Sequence, residues 1–101
     1  MKNFSEILKK AQEMQQKMVD IQNKLAEQEV TGSAGAGMVE IVMNGVGKVS
    51  KVKIDPSVAS DTSMLEDLLV VAINDAREKV DELSQKQAEE MKQGLPFKLP
   101  F

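Results

Sequence analysis

Lys10, Lys17 and Lys24 recur every seven residues near the start of this chain, with Lys9 beside the first of them. On a helix that spacing gathers the ammonium groups into one stripe, and such a stripe can hold phosphates by displacing their condensed counterions. A second candidate for phosphate chemistry is GSAGAG at 32–37, followed by Gly45 and Gly47. A dinucleotide loop reads G-x-G-x-x-G and opens a helix, whose N-terminal N–H groups hold the pyrophosphate; a P-loop closes on Lys-Ser or Lys-Thr. Here Gly32, Gly35 and Gly37 give the reverse order, no Lys-Ser/Thr follows, and the next residues, MVEIVM, alternate as a strand does. The glycines are therefore expected to serve the backbone: to let the chain leave a helix at Gly32, turn, and enter a sheet where φ is positive or another backbone lies close.

Acid–base and metal chemistry find little to work with. Glu66/Asp67, Asp81/Glu82 and Glu89/Glu90 are adjacent pairs, and neighbours on a helix point about 100° apart, so they read as a solvated face and not as a dyad. The chain has no histidine and no cysteine. The commonest general base, the commonest metal ligand and any thiolate are thereby missing, and no serine has a histidine to activate it. There is no Trp or Tyr, and the three Phe lie at Phe4, Phe97 and Phe101, so no stacking platform for single-stranded nucleic acid is expected. These residues predict no catalysis, no cofactor, no metal and no small-molecule substrate.

The elements that must position the lysines follow from hydrophobic periodicity. Phe4, Ile7, Ala11, Met14, Met18, Ile21 and Leu25 form an unbroken a/d seam, which predicts a long first helix whose seam serves an intramolecular hairpin, a dimer, or both. Glu6, Glu13 and Asp20 each precede a lysine by four residues, the favourable orientation for helical ion pairs. A short strand is expected near Val30–Ser33. MVEIVMNGVGKVSKVKID then predicts two strands around Asn44-Gly45, paired either Met43 with Lys48 or Met43 with Val46. In both registers Val39, Ile41, Val52 and Ile54 share the core face, and Lys51 and Lys53 share the other face with Glu40. Pro56 ends the strand.

Ser63-Met64-Leu65-Glu66 has the pattern of a capping box and is expected to start a second long helix. Apolar residues cover nearly all sides of its first half, from Leu65 to Ile73, so that half is expected to be buried between partners. Leu65, Leu68, Leu69, Ala72 and Ile73 are the candidate dimer interface. Beyond Ala76 only Val80, Leu83 and Met91 continue the stripe among many acids, which predicts a solvated arm ended by Gly94. Residues 1–93 then make one domain, and 94–101, with their repeated Leu-Pro-Phe, an extended tail.

The net charge is −3, but between 57 and 93 acids outnumber bases by five, so any basic surface must be local. The opening residues are too polar for a signal peptide, and no apolar run is long enough for a membrane span. A cytoplasmic protein without a membrane partner is expected. Two readings fit these residues: a dimeric architectural protein that binds DNA, and a helical chaperone or adaptor of the prefoldin type.

Residues GSAGAGMVEIVMNGVGKVSKVKIDPS and MLEDLLVVAINDAREK, between a lysine- and glutamine-rich first helix and a Gly-Leu-Pro tail, resemble the YbaB/EbfC family of bacterial nucleoid-associated proteins over essentially the whole chain. The resemblance implies an α+β fold, with a long N-terminal helix, a small antiparallel sheet containing a hairpin, and a long C-terminal helix. It implies an intertwined homodimer whose helices protrude like tweezers and bind duplex DNA with low or variable sequence preference in the nucleoid, influencing its organisation and gene expression. It points to basic residues on the helices as DNA contacts, here Lys9, Lys10, Lys17 and Arg77. Lys24, Lys51 and Lys53 join them as candidates from their placement on the stripe and the sheet.

Overall fold

The computed structural model describes the backbone of residues 2–93 and the side chains of residues 3–90. The tail 94–101, and with it the stop at Gly94 and the side chain of Met91, lies outside the described residues. In chain order the elements are α1 (Lys2–Glu27), β1 (Glu29–Ala34), β2 (Val39–Asn44), β3 (Val49–Ile54), a single turn α2 (Pro56–Ala59) and α3 (Thr62–Gln93). The strands form an antiparallel sheet in the order β1-β2-β3. The expected long helix, antiparallel sheet and long helix are all present.

The core lies between one face of the sheet and α3. Ala34, Val39, Ile41, Met43, Ala72, Ala76 and Val80 form it, with Val30, Leu65, Leu68 and Leu69 packed around them. Every second residue of β2 is buried, as expected for a central strand with one covered face. The helix comes very close to β1, and Gly32 is the reason. A Cβ on Gly32 would collide with the Ala72 carbonyl oxygen and the Ala76 amide nitrogen. Gly32 therefore does not end α1, which stops at Glu27; it sits inside β1, where the absence of a side chain lets a helix backbone rest on the strand.

GSAGAG joins two antiparallel strands and opens no helix. Gly35, Ala36 and Gly37 all have positive φ, at 61°, 54° and 89°, so the glycines serve the turn, as the sequence suggests. The second connection differs from both expected registers. Val42 pairs with Lys51 but Met43 pairs with Val49, so Ser50 is an extra residue and the hairpin carries a bulge. The Asn44 side chain accounts for the loop: its Oδ1 accepts from the N–H groups of Val46 (3.1 Å) and Lys48 (3.0 Å). The parity of β3 survives, since Val39 faces Ile54 and Ile41 faces Val52, with Lys51 and Lys53 on the side away from α3. Val49, which strict alternation from Lys51 would put on the lysine face, is shifted by the bulge to lie opposite Met43.

Pro56 ends β3 and also begins α2. Asp55 caps that turn by accepting from the Ser57 N–H (2.9 Å) and hydroxyl (2.7 Å), with proline at the first helical position where its missing N–H costs nothing. The start of α3 also differs from the expected capping box at Ser63. Its N-cap is Asp61, which accepts from the Met64 N–H (3.1 Å), while Ser63 already lies inside the helix. An aspartate in front of Thr-Ser satisfies the first-turn donors before a capping box at Ser63 is needed.

The described residues extend 70 × 21 × 16 Å. Both long helices contribute to that elongation: at 1.5 Å per residue α1 is about 39 Å long and α3 about 48 Å. The α1 seam does not form an intramolecular hairpin along its length. Leu25 is buried, Met14 and Ile21 are half-buried, and Phe4, Ile7 and Met18 are exposed, Phe4 at 67%. The first half of α3 is also incompletely covered within one chain: Ala72 is fully buried, but Val70 is 59% and Ile73 41% exposed. Conversely, the distal half is not wholly solvated, since Val80 and Gln87 are buried and Leu83 is half-buried. Among the described residues no helix is long and apolar enough to cross a membrane.

Candidate nucleic-acid interface

The basic residues fall into three places. Lys9, Lys10, Lys17 and Lys24 are all exposed along α1. The expected i,i+4 pairs with Glu6, Glu13 and Asp20 are not closed. Among the described residues the ion pairs are Arg77–Asp81 and Lys79–Asp75, both within α3. Asp20 accepts instead from the Gln16 side-chain amide at 3.0 Å. Exposed helical pairs contribute only tenths of a kcal/mol, so side-chain entropy is enough to keep them apart. The ammonium groups of α1 are thus presented to solvent and not held by their own helix.

The root of α1 is tied to the β2–β3 loop. The Leu25 carbonyl accepts from the Gly45 N–H at 2.9 Å, and the Gln28 carbonyl from the same N–H at 3.0 Å. A Cβ on Gly45 would strike the Leu25 carbonyl oxygen, so this docking needs a glycine. Arg77 reaches the same place from α3: its guanidinium would lie 2.7 Å from a Cβ on Gly47, and it lines a recess with Gln22, Leu25, Gly45 and Val46. The structure therefore brings Arg77, the exposed loop residue Lys48 and the end of α1 that carries Lys24 into one neighbourhood. Lys48 did not figure among the sequence candidates. Its only signal there was its position just after the Asn-Gly turn, and the packing of Arg77 on that turn is what gives it company. Arg77 is partly offset by Asp81, 3.9 Å away across an exposed pair.

Lys51 and Lys53 are exposed on β3, on the sheet face opposite α3. Lys53 is registered opposite Glu40, and Lys51 opposite Val42. They are separate from the core and share their face with the Glu40 carboxylate. Beside them, Asp55 has a carboxyl held below its ordinary value, chiefly by the Ser57 hydrogen bonds and less by the nearby Lys53.

The candidate interface residues on α3 divide by what they touch. Ala72 meets Gly32 of its own chain and is fully buried there. Leu65, Leu68 and Leu69 pack around the core and remain half-buried, and Ile73 is the most open of the five. Seen from Ala72 along the helix, Asp75 and Lys79 turn toward β1, whereas Leu69, Ile73 and Arg77 turn toward the β2–β3 side. There Val52, on the helix-facing side of β3, is 48% exposed. The helix lies over β1 and β2 and leaves this face of β3 largely uncovered. No group of three or more potential metal ligands occurs among the described residues.

Comparison with known proteins agrees with this architecture. The model of the YbaB/EbfC DNA-binding family matches residues 1–95. A nucleoid-associated protein of Bartonella bacilliformis is 44% identical, covering 100% of this chain and 99% of that protein. One of Rickettsia akari is 45% identical with 100% of both covered. One of Xylella fastidiosa is 43% identical over 98% of this chain and 96% of its own. Among solved structures, the crystal structure of an uncharacterized protein from Helicobacter pylori superposes with a TM-score of 0.80 at 27% identity, covering 87% of this chain and 95% of that one.

Proposed function

The chain belongs to the YbaB/EbfC DNA-binding family, and from that premise we propose that it acts as a nucleoid-associated homodimer in the bacterial cytoplasm. In this reading it binds duplex DNA with low or variable sequence preference and so influences nucleoid organisation and gene expression, without catalysis or cofactor. The observation that carries the reading is the projecting helix α1, whose Lys9, Lys10, Lys17 and Lys24 are exposed and not paired with its carboxylates among the described residues. A net charge of −3 forbids a general electrostatic coat, so affinity must come from such a local stripe. Arg77 and Lys48 at the root of the arm extend it, and Lys51 and Lys53 add a second patch on the sheet.

The homodimer is supported by apolar surface that one chain leaves open. Val70 and Ile73 on α3 and Val49 and Val52 on β3 are large and exposed. In this reading a second copy covers the open side of α3 at Leu69 and Ile73, with Leu65 and Leu68 contributing where they stay half-buried and Ala72 supporting the helix from within its own chain.

Titration of duplex DNA by mobility shift at several salt concentrations tests the reading. Two to four phosphates neutralised per chain give a slope of log affinity against log salt of about −4 to −7. Binding that is absent at low salt rejects the function. The exposed apolar seam of α1, from Phe4 to Met18, favours one alternative, a prefoldin-like chaperone or adaptor. Suppression of client aggregation without duplex binding selects it.

A further inference from the structure

The sheet has two edges, and they are treated differently. On β1, the Ser33 N–H donates to Asp75 Oδ2 at 3.0 Å, and the Thr31 carbonyl accepts from Lys79 Nζ at 2.7 Å. Asp75 and Lys79 are themselves paired at 3.3 Å across one turn of α3. The carbonyl and the N–H they occupy flank Gly32 and point away from β2. They are the acceptor and donor that an added strand takes first. The Asp75 carboxyl is held below its ordinary value mainly by the Ser33 hydrogen bond, then by Lys79, as a carboxylate held in this setting must be.

We infer that Asp75 and Lys79 close the β1 edge against strand pairing with a second copy of this chain.

The sequence of β1 shows why this edge needs closing. Val30 to Ala34 carries no charge. An antiparallel copy centred on Gly32 sets Val30 opposite Ala34 and Thr31 opposite Ser33, with nothing repelled. The β3 edge carries its own protection: a copy paired there with both helices on one side of the sheet brings Lys51 and Lys53 against their counterparts, and like charges directly opposite are unfavourable. Lysines therefore defend one edge, and a carboxylate–ammonium pair borrowed from α3 covers the other. Gly32 makes that cover possible. Only a residue without Cβ lets Ala72 and Ala76 rest on β1, and that close approach brings the side chains one turn further on to the strand's edge.

The inference is independent of the homodimer. The mass of the wild-type protein tests that reading, and the ratio of variant to wild-type mass tests this one. Asp75→Ala with Lys79→Ala, in the full chain, removes both covering groups. Sedimentation velocity over a concentration series is expected to show a single wild-type species. The variant is expected to add a species of at least twice the wild-type mass, growing with concentration. The Ser33 amide should be protected from exchange in the wild type, lose that protection in dilute variant, and regain it as the variant assembles. Ser33→Pro in the variant background deletes the freed donor from an edge strand that tolerates proline, and should restore the wild-type mass. A variant with native far-UV circular dichroism and wild-type mass at every concentration overturns the inference. So does assembly that Ser33→Pro fails to reverse, because the pairing then uses another surface. If the double variant does not fold, Lys79→Met decides: it keeps the stem of the side chain and removes only the donor to Thr31. Growth in its mass supports the closed edge, and an unchanged mass rejects it.

Discussion

Lys10 and Lys17 stand on α1 with their ammonium groups in water and no closed ion pair among the described residues. Each is worth most where a phosphate replaces that water. Lys10→Glu with Lys17→Glu is expected to weaken binding to all duplex sequences alike and to flatten the salt slope by as much as about 4 in a dimer, roughly one unit for each phosphate that is no longer neutralised. Lys86→Glu, on the acidic helix, should change the slope far less. An unchanged slope in the double variant moves the DNA surface to the loop at Lys48 and Arg77 or to β3. A second expectation at this scale concerns acid. The folded state depresses the Asp75 carboxyl below its ordinary value of 3.8, so the charged form favours folding. That contribution is complete at neutral pH. It begins to fade as pH falls to the ordinary carboxylate value, and it is gone below the depressed one. Thermal melting of Asp75→Asn should therefore fall less steeply than the wild type between about pH 4 and pH 2. Parallel curves for the two proteins count against the Ser33 and Lys79 contacts as the cause.

At the scale of the elements, close approach of backbones decides stability. Gly32 brings β1 onto α3 and Gly45 brings the β2–β3 loop onto the end of α1. Gly32→Ala forces an overlap with helix backbone that no rotamer change relieves, and is expected to cost about 3 kcal/mol in denaturant unfolding. Gly45→Ala disturbs only the root of α1. It should cost less in global stability but change DNA affinity, because the arm that carries the lysine stripe is then set at a different angle. A global loss for Gly45→Ala as large as that for Gly32→Ala would mean that α1 belongs to the core and is not an arm. Removing Asp61 as the cap of α3 by Asp61→Ala should cost about 1 kcal/mol, the ordinary value for such a cap, whereas Ser63→Ala should cost almost nothing.

For the whole molecule, the apolar surface left open on α3 and β3 sets the expectation. Ile73 is 41% exposed in one chain, so Ile73→Asp should leave the fold intact while placing a charge in the apolar interface of the proposed dimer. Sedimentation is expected to halve the mass without loss of helical circular dichroism. A variant that stays as tightly dimeric as the wild type puts the interface elsewhere, and the exposed seam of α1 is then the next surface to test. Weakening the dimer should also reduce DNA affinity, because two arms joined in one particle bind with an effective concentration that single arms lack.

Periodicity by itself determined the two long helices, the strands between them, and the faces of β2 and of β3 from Lys51 to Ile54, because helix and strand periods are local and the apolar residues obey them. It also determined that Lys10, Lys17 and Lys24 form one stripe, since that follows from sevenfold spacing alone. Resemblance of GSAGAGMVEIVMNGVGKVSKVKIDPS supplied the family. Tertiary structure alone decided the rest, wherever one segment's chemistry is completed by another far along the chain. Gly32 read as a helix stop because nothing local says that α3 will lie on it. The bulge at Ser50 depends on a loop organised by the Asn44 side chain. Lys48 gains Arg77 only through the packing of α3 on the sheet. Asp75 and Lys79 read as one more surface pair, four residues apart on a helix, and their role follows from a strand some forty residues earlier whose edge has an N–H and a carbonyl to satisfy.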